Sequence, residues 1–206
     1  WEVRKPEKAS NGHSNGNAYM RPKEDGSLEL VYEDYMTVMA VPYDVPIVGY
    51  KNNTVNTLRL WNAEVNQDFS DYGMLTKEQI QGRNAYRNFV ESITEYLYPD
   101  DSSEDGRRMR LIQEYFFVSA GVQSIVRHYK LSKMNIHDFA SKIAIHINDT
   151  HPAVAVAELM RVLLDDEHME WDEAWDITTH TIAYTNHTIM PEALEKWPIA
   201  MFKPLL

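Results

Sequence analysis

Residues 142–164 read KIAIHINDTHPAVAVAELMRVLL. Alternation over 142–147 sets Ile143, Ile145 and Ile147 on one side, which is the period of a strand. The run breaks at Asn148-Asp149-Thr150-His151. Pro152 then stands where a first helical residue belongs, because the N–H it lacks is one that a helix does not use there. Ala153, Val156, Ala157, Met160 and Leu163 follow at helical spacing and are expected to face inward, with the helix running to Leu164. The same order recurs downstream as a helix over 171–180, a strand over 182–185, the turn Asn186-His187-Thr188 and a helix over 191–196. Just upstream, Asn135 opens a short helix carrying Ile136, Phe139 and Ala140. Strand, polar loop and helix, twice over, is the pattern of an α/β fold with a doubly wound sheet.

Toward the N-terminus the period changes. Ser102-Ser103 precede a long helix to about Lys130, whose Met109, Ile112, Phe116, Val118, Val122, Ile125 and Val126 cover more than one face and predict burial. Before it, Thr76 and Gln79 form a capping box, and Tyr86, Phe89, Val90, Ile93 and Leu97 make a narrow apolar stripe on an otherwise polar helix ending by Pro99. That stripe reads as core or as a partner surface. Residues 27–65 concentrate β-formers, with Pro42, Pro46 and Gly49 as expected punctuation. Residues 1–26, with two Asn-Gly steps at Asn11-Gly12 and Asn15-Gly16, are expected to be loop-rich. Trp1 in place of Met, and the apolar run over 197–206, read as a piece of a larger polypeptide.

The chain has 206 residues and a formal charge of −11, from 31 acids against 20 bases. Binding to nucleic acid draws most of its affinity from basic side chains, and no basic run here exceeds Arg107-Arg108, so that class of partner is excluded. No apolar run reaches the roughly 18–20 residues that cross a bilayer, so a membrane protein is not expected. There is no Cys, hence no disulfide framework or thiolate chemistry, and a reducing cytoplasm is the expected location. A neutral ligand such as a sugar places no demand on net charge.

Ligands of open α/β sheets sit beyond the carboxyl ends of the strands. That singles out Asn148-Asp149-Thr150-His151 and Asn186-His187-Thr188, with Glu192 and Glu195 just after. The acidic hinge Asp100-Asp101-Ser102-Ser103 is a third candidate. Each has a plainer reading. Asp149 and Thr150 could be N-caps, His151 and His187 structural histidines, and the hinge a turn. His146, Asp149, His151, His180 and His187 fit no zinc spacing, so no metal is expected. The absence of a Gly-x-Gly-x-x-Gly stretch and of a P-loop removes a nucleotide phosphate cradle.

Four stretches then carry a resemblance: AVPYDVPIVGYKNNTVNTLRLWNAE (40–64), YLYPDDSSEDGRRMRLIQEYFFVSA (96–120), IAIHINDTHPAVAVAELMRVL (143–163) and AYTNHTIMPEALEKWP (183–198). In that order, and over nearly all of 35–206, the chain resembles the α-glucan phosphorylases, which act on glycogen, starch or maltodextrin. The resemblance implies an interior part of the N-terminal domain of a two-domain, Rossmann-like (GT-B type) enzyme. It also implies a reaction, attack of phosphate on a terminal α-1,4-linked glucose to release glucose 1-phosphate with retained configuration. The family's cofactor is pyridoxal phosphate, and its Schiff-base lysine and phosphate-holding residues have no counterpart in this chain, so none of these residues is expected to bind the cofactor.

Position by position, the resemblance makes His187 the histidine whose backbone carbonyl and side chain approach the reacting glucose, with Asp149 as its catalytic companion. His151, Thr188, Glu195 and Asp100 line the same pocket, Asp101 and Ser102 belong to the loop that gates it, and Arg110 follows on the helix behind. Ser102 stands where many members have Asn, and residues 8–20 carry Asn, Gly and Ser where an apolar strand is usual. Helix 77–97 resembles the tower helix that reaches a second subunit, implying a homodimer. Two rival functions remain: a glycoside hydrolase using Asp149 and Glu195 as a carboxylate pair, and a non-catalytic glucan-binding or oligomerisation module.

Overall fold

The computed structural model describes residues 2–6, 17–22, 26, 28–33, 35–65, 76–191, 194–203 and 205. It is a mixed α/β protein built as two compact units, one of residues 1–3 with 37–113 and one of residues 4–36 with 114–206. The first third is richer in strands than its composition suggests. Strands β1 (Glu2–Pro6) and β2 (Asn17–Pro22) occupy part of the stretch read as loop, and β2 pairs antiparallel with β3 (Leu28–Glu33). The Asn-Gly steps between β1 and β2 lie outside the described residues.

In the first unit, β4 (Tyr35–Val48) runs straight through the two prolines expected to interrupt it and pairs antiparallel with β5 (Val55–Glu64), in the order β1-β4-β5. The register explains the tolerance. Gly49 N donates to Thr54 O at 2.9 Å, so the odd-numbered residues of β4 make the hydrogen-bonded pairs with β5. Pro42 and Pro46 fall on the even positions opposite Trp61 and Thr57, where no N–H is needed toward β5. Tyr43, Val45, Ile47, Leu58 and Leu60 share one face of this hairpin, and all are exposed.

Helix α1 (Lys77–Glu95) begins with the expected capping box, Thr76 N donating to Gln79 Oε1 at 2.8 Å and Gln79 N to Thr76 Oγ1 at 3.3 Å. Its second half carries its buried residues. Val90 and Ile93 are buried, Ala63 N donates to Thr94 Oγ1 at 3.1 Å, and the Tyr86 hydroxyl donates to Thr37 O. Leu97 is not part of the stripe, because the helix ends at Glu95 and leaves Leu97 64% exposed.

Helix α2 (Glu104–Leu131) is capped by Ser103, whose Oγ accepts from Gly106 N at 3.0 Å, and it is buried over most of its length as expected. Its second half supplies Val118, Val122, Val126 and Tyr129 to the core of the second unit, where they meet Phe139, Ile147, Leu159, Leu163 and Ile177. The Tyr129 and Phe139 rings meet edge to face at 5.0 Å, and the Tyr129 hydroxyl reaches Asn135 O at 2.7 Å. Asn135 caps the 3-10 turn Ile136–Ser141.

β6 (Ile145–Asn148) starts three residues later than the sequence reading and ends one residue later, but its alternation holds, with Ile147 buried and His146 and Asn148 exposed. It pairs in parallel with β7 (Ile182–Thr185), reached through α3 (Ala155–Arg161) and α4 (Trp171–Thr181). The parallel pairing needs such a crossover. The remaining corrections concern helix ends. Residues 151–154 form tight turns, Ala153 N bonding Thr150 O and Ala155 N bonding Pro152 O, so Pro152 is not the first residue of α3. α3 passes into a π-type turn (Val162–Asp166), and the buried side chains are Ala155, Glu158, Leu159, Met160, Val162 and Leu163, with Ala153 exposed. Leu194–Lys196 are not helical, and the last helix is α5 (Ile199–Phe202).

One buried ionic group stands out in this unit. The Glu158 carboxylate is fully buried and receives Arg161 Nε at 2.9 Å and Nη2 at 3.0 Å, Ser119 Oγ at 2.6 Å and the Tyr115 hydroxyl at 3.3 Å. Burial by itself would lower the Arg161 pKa, but the paired carboxylate outweighs it and holds the guanidinium above its usual range.

Candidate active site

Both loops singled out at the carboxyl ends of strands belong to the second unit, and the structure brings them side by side. Asn148 is paired with Thr185, and the pairing continues past the strands as Asp149 N donates to Thr185 O at 2.8 Å. His187 Nε2 lies 3.2 Å from Asn148 Oδ1, so the second loop is tied to the residue preceding Asp149. One rung earlier, His146 Nε2 meets Thr185 Oγ1. His146, Asn148, Thr185 and His187 thus form a polar ladder on one side of the strand pair, opposite buried Ile147.

Asp149 is not a helix cap. Its φ of 62° lies in the left-handed region, and its Oδ1 accepts the neighbouring Thr150 N–H at 2.8 Å. A short polar side chain tolerates that conformation because it bonds locally. Val154 occupies the cap position of α3 without any side-chain bond, so Thr150 is not its cap either. The buried Thr150 hydroxyl has no hydrogen-bond partner among the described residues. His151 follows, half-buried, in the turn before α3.

The second loop is ordered by its own side chains. Thr188 N donates to Asn186 Oδ1 at 3.1 Å, Asn186 Nδ2 to Thr188 O at 2.6 Å, and Met190 N to Thr188 Oγ1 at 3.2 Å. These bonds fix the backbone on either side of His187. Glu195 is half-buried in the irregular segment before Pro198, while Glu192 lies outside the described residues.

Asp100, Asp101 and Ser102 are exposed in the first unit. Ser102 N donates to Asp100 Oδ1 at 3.0 Å, and this bond to the charged form holds the Asp100 carboxyl below its ordinary range. The hinge folds back on α2: a Cβ at Gly106 would lie 1.7 Å from Asp100 O, so only glycine admits that approach. The Arg110 guanidinium stands 5.0 Å over the Tyr98 ring at the same corner.

Among the described residues no three His, Asp or Glu side chains converge as a metal-holding group. A pyridoxal Schiff base needs a lysine sheltered beside the reacting sugar. Lys51, Lys77, Lys130, Lys133, Lys142, Lys196 and Lys203 are all exposed, and these seven do not offer that shelter. Among the described residues no helix is long and apolar enough to cross a membrane.

Sequence reasoning missed Asn148 as the partner of His187, although the parity of 146, 148, 185 and 187 carried the signal. It also missed Glu158, whose Arg161 three residues on was the available clue.

Two loops of hydrogen-bonding side chains, delivered together by the carboxyl ends of a parallel strand pair, define a mixed α/β protein with its polar side chains gathered where open α/β sheets bind ligands. Comparison with known proteins identifies it further: the model of the carbohydrate phosphorylase family matches residues 1–206, and the chain belongs to that family. It is 49% identical over 206 residues to glycogen phosphorylase of Bacillus subtilis (strain 168), 46% identical over 214 aligned residues to the brain form of Mus musculus, and 44% identical over 214 to the muscle form of Homo sapiens. Each alignment covers 100% of this chain and 25% of the relative, so the chain spans a quarter of the length of these proteins.

Proposed function

We propose that residues 1–206 form one wall of the glucose site of an α-1,4-glucan phosphorylase, within the N-terminal Rossmann-like (GT-B type) domain of that cytoplasmic enzyme. The observation that carries this reading is the tie between the two loops, His187 Nε2 to Asn148 Oδ1 and Asp149 N to Thr185 O, in a chain whose resemblance to the family assigns His187 and Asp149 to the glucose pocket. The substrates are an α-1,4-glucan chain end and phosphate.

The chemistry expected of this wall is orientation and electrostatics. As the glucose C1–O bond breaks, positive charge grows on the sugar ring, and a carbonyl dipole held toward it by the Asn186–Thr188 turn stabilises the transition state more than the ground state. Asp149, His151, Thr188, Glu195 and Asp100 contribute hydrogen-bonding groups beside the sugar, and Asp101 and Ser102 act as the gating loop. Pyridoxal phosphate supplies acid–base chemistry through its phosphate group, and residues outside this chain hold it. The chain alone is therefore inactive. The polar first half of α1 is the surface offered to a second subunit of a homodimer, since the buried residues of this helix, Val90 and Ile93, both lie in its second half.

A chimera of the Bacillus subtilis glycogen phosphorylase, its matching quarter replaced by residues 1–206, tests this. It is expected to release glucose 1-phosphate from an α-1,4-glucan only when phosphate is present. Free glucose released without phosphate would mean a hydrolase, and a folded chimera releasing neither would mean a non-catalytic module.

A further inference from the structure

α3 is seven residues long, and neither of its ends fixes its place. Val154 at the N-cap makes no side-chain bond, and beyond Arg161 the helix widens into the π-type turn Val162–Asp166. Its buried Ala155, Leu159 and Met160 make apolar contacts, which are non-directional and tolerate a slide or rotation of the helix. Glu158 is different. Each of its carboxylate oxygens receives one N–H of Arg161 and one hydroxyl of α2. Oε1 takes Nη2 at 3.0 Å and Ser119 Oγ at 2.6 Å, and Oε2 takes Nε at 2.9 Å and the Tyr115 hydroxyl at 3.3 Å. A carboxylate only accepts, so both hydroxyls donate, and these four bonds are met in one placement of α3 against α2. A buried ion pair adds little net stability over an apolar pair of the same volume, so direction is what it contributes here. From Glu158 back to Asp149 the chain is closed by consecutive bonds. Glu158 N donates to Val154 O at 2.9 Å, Ala155 N to Pro152 O at 2.9 Å, Ala153 N to Thr150 O at 3.0 Å and Thr150 N to Asp149 Oδ1 at 2.8 Å.

We propose that Glu158 is a positioning residue: gripped by Arg161, Ser119 and Tyr115, it sets the register of α3 on α2 and, through the turns over 150–154, the place of Asp149 and His151 beside the bound sugar. The inference rests on the reading of Asp149 and His151 as part of the glucose site, and it adds what holds that loop from behind. On its other side the loop is tied to β7 by Asp149 N and Thr185 O at 2.8 Å. Asp149 is thus held between the strand pair and the buried carboxylate.

The double variant Glu158→Leu/Arg161→Met separates positioning from stability, because an apolar pair of similar volume leaves no buried charge yet supplies no directional bond. The first readout is amide hydrogen exchange of the 206-residue chain. The amides of Asp149, Ala153 and Ala155 are expected to exchange about tenfold faster relative to the slowest amides of α2, which open only by global unfolding. The second readout is turnover of the Bacillus subtilis chimera. There the double variant is expected to lower kcat/KM about tenfold, mostly in kcat, since a displaced pocket group costs transition-state fit. Ser119→Ala removes one bond from α2 and leaves the ion pair whole. It is expected to show the same exchange pattern at smaller amplitude, and it decides the matter if the double variant does not fold. Exchange at Asp149, Ala153 and Ala155 that only tracks the α2 amides, or a folded double-variant chimera with unchanged kcat/KM, would overturn the proposal and leave Glu158 a structural residue. The exchange readout does not involve turnover. An unsubstituted chimera that makes no glucose 1-phosphate therefore removes the proposed function, while exchange still decides whether Glu158 places the loop.

Discussion

Arg161→Met is expected to destabilise the chain by about 3–5 kcal/mol, because it strands the Glu158 carboxylate in a site with no access to water. Glu158 has 0% side-chain exposure and Arg161 15%, so the pair is desolvated rather than screened. Two of the four bonds to the carboxylate come from the guanidinium, and the Ser119 and Tyr115 hydroxyls remain too weak to replace a lost positive charge. Arg161 also reaches Asp166 at 3.5 Å, across the π-type turn, so its removal loosens that turn as well. Equilibrium urea unfolding measures the cost. The double variant Glu158→Leu/Arg161→Met is expected to recover much of it, since an apolar pair of similar volume leaves no buried charge. A loss under about 1 kcal/mol for Arg161→Met, the range of an exposed ion pair, would contradict the buried role.

His187→Ala, made in the Bacillus subtilis chimera, is expected to lower kcat/KM about a hundredfold, equivalent to about 2.7 kcal/mol. Alanine keeps the backbone carbonyl but removes the bond to Asn148 that ties this loop to the end of β6. Displacement of a positioning group by about 1 Å is enough for a loss of this size. The fall is expected mostly in kcat, because the carbonyl dipole counts most when charge has developed on the sugar. Steady-state kinetics with varied glucan and saturating phosphate separate the two constants. Unchanged kcat/KM would remove His187 from the site.

The regular signals in the sequence were those that local chemistry enforces. Thr76 and Gln79 cap α1 because each needs the other's backbone group, and Ile143, Ile145 and Ile147 alternate because one side of β6 meets the core. Asn135 and the strand Ile182–Thr185 were legible for the same reasons. What failed depended on partners distant in the chain. Pro42 and Pro46 look like strand breakers until the register with β5 shows their nitrogens facing away from the ladder. The inward face of α3 was misread because the helix starts at Ala155, after a turn closed by Thr150 and Pro152, and then widens at Val162. Those shifts rotate the buried stripe onto Glu158 and Leu159 and expose Ala153.

The candidate site divides along the same line. The strand–loop–helix pattern singled out the loops after β6 and β7, and the structure joins them by two hydrogen bonds. The left-handed backbone of Asp149 was not legible, since Asp before a proline-led helix most often caps it. The pairing of Asn148 with His187 needed the register of the two strands, which no local pattern encodes.

The account stands or falls on where a glucose unit sits relative to these two loops. A crystal structure of the chimera with glucose bound measures that position. The account predicts a sugar hydroxyl within hydrogen-bonding distance of His187, with Asp149 on the same side of the ring. A glucose bound elsewhere in the chimera, with His187 and Asp149 facing solvent, would contradict it.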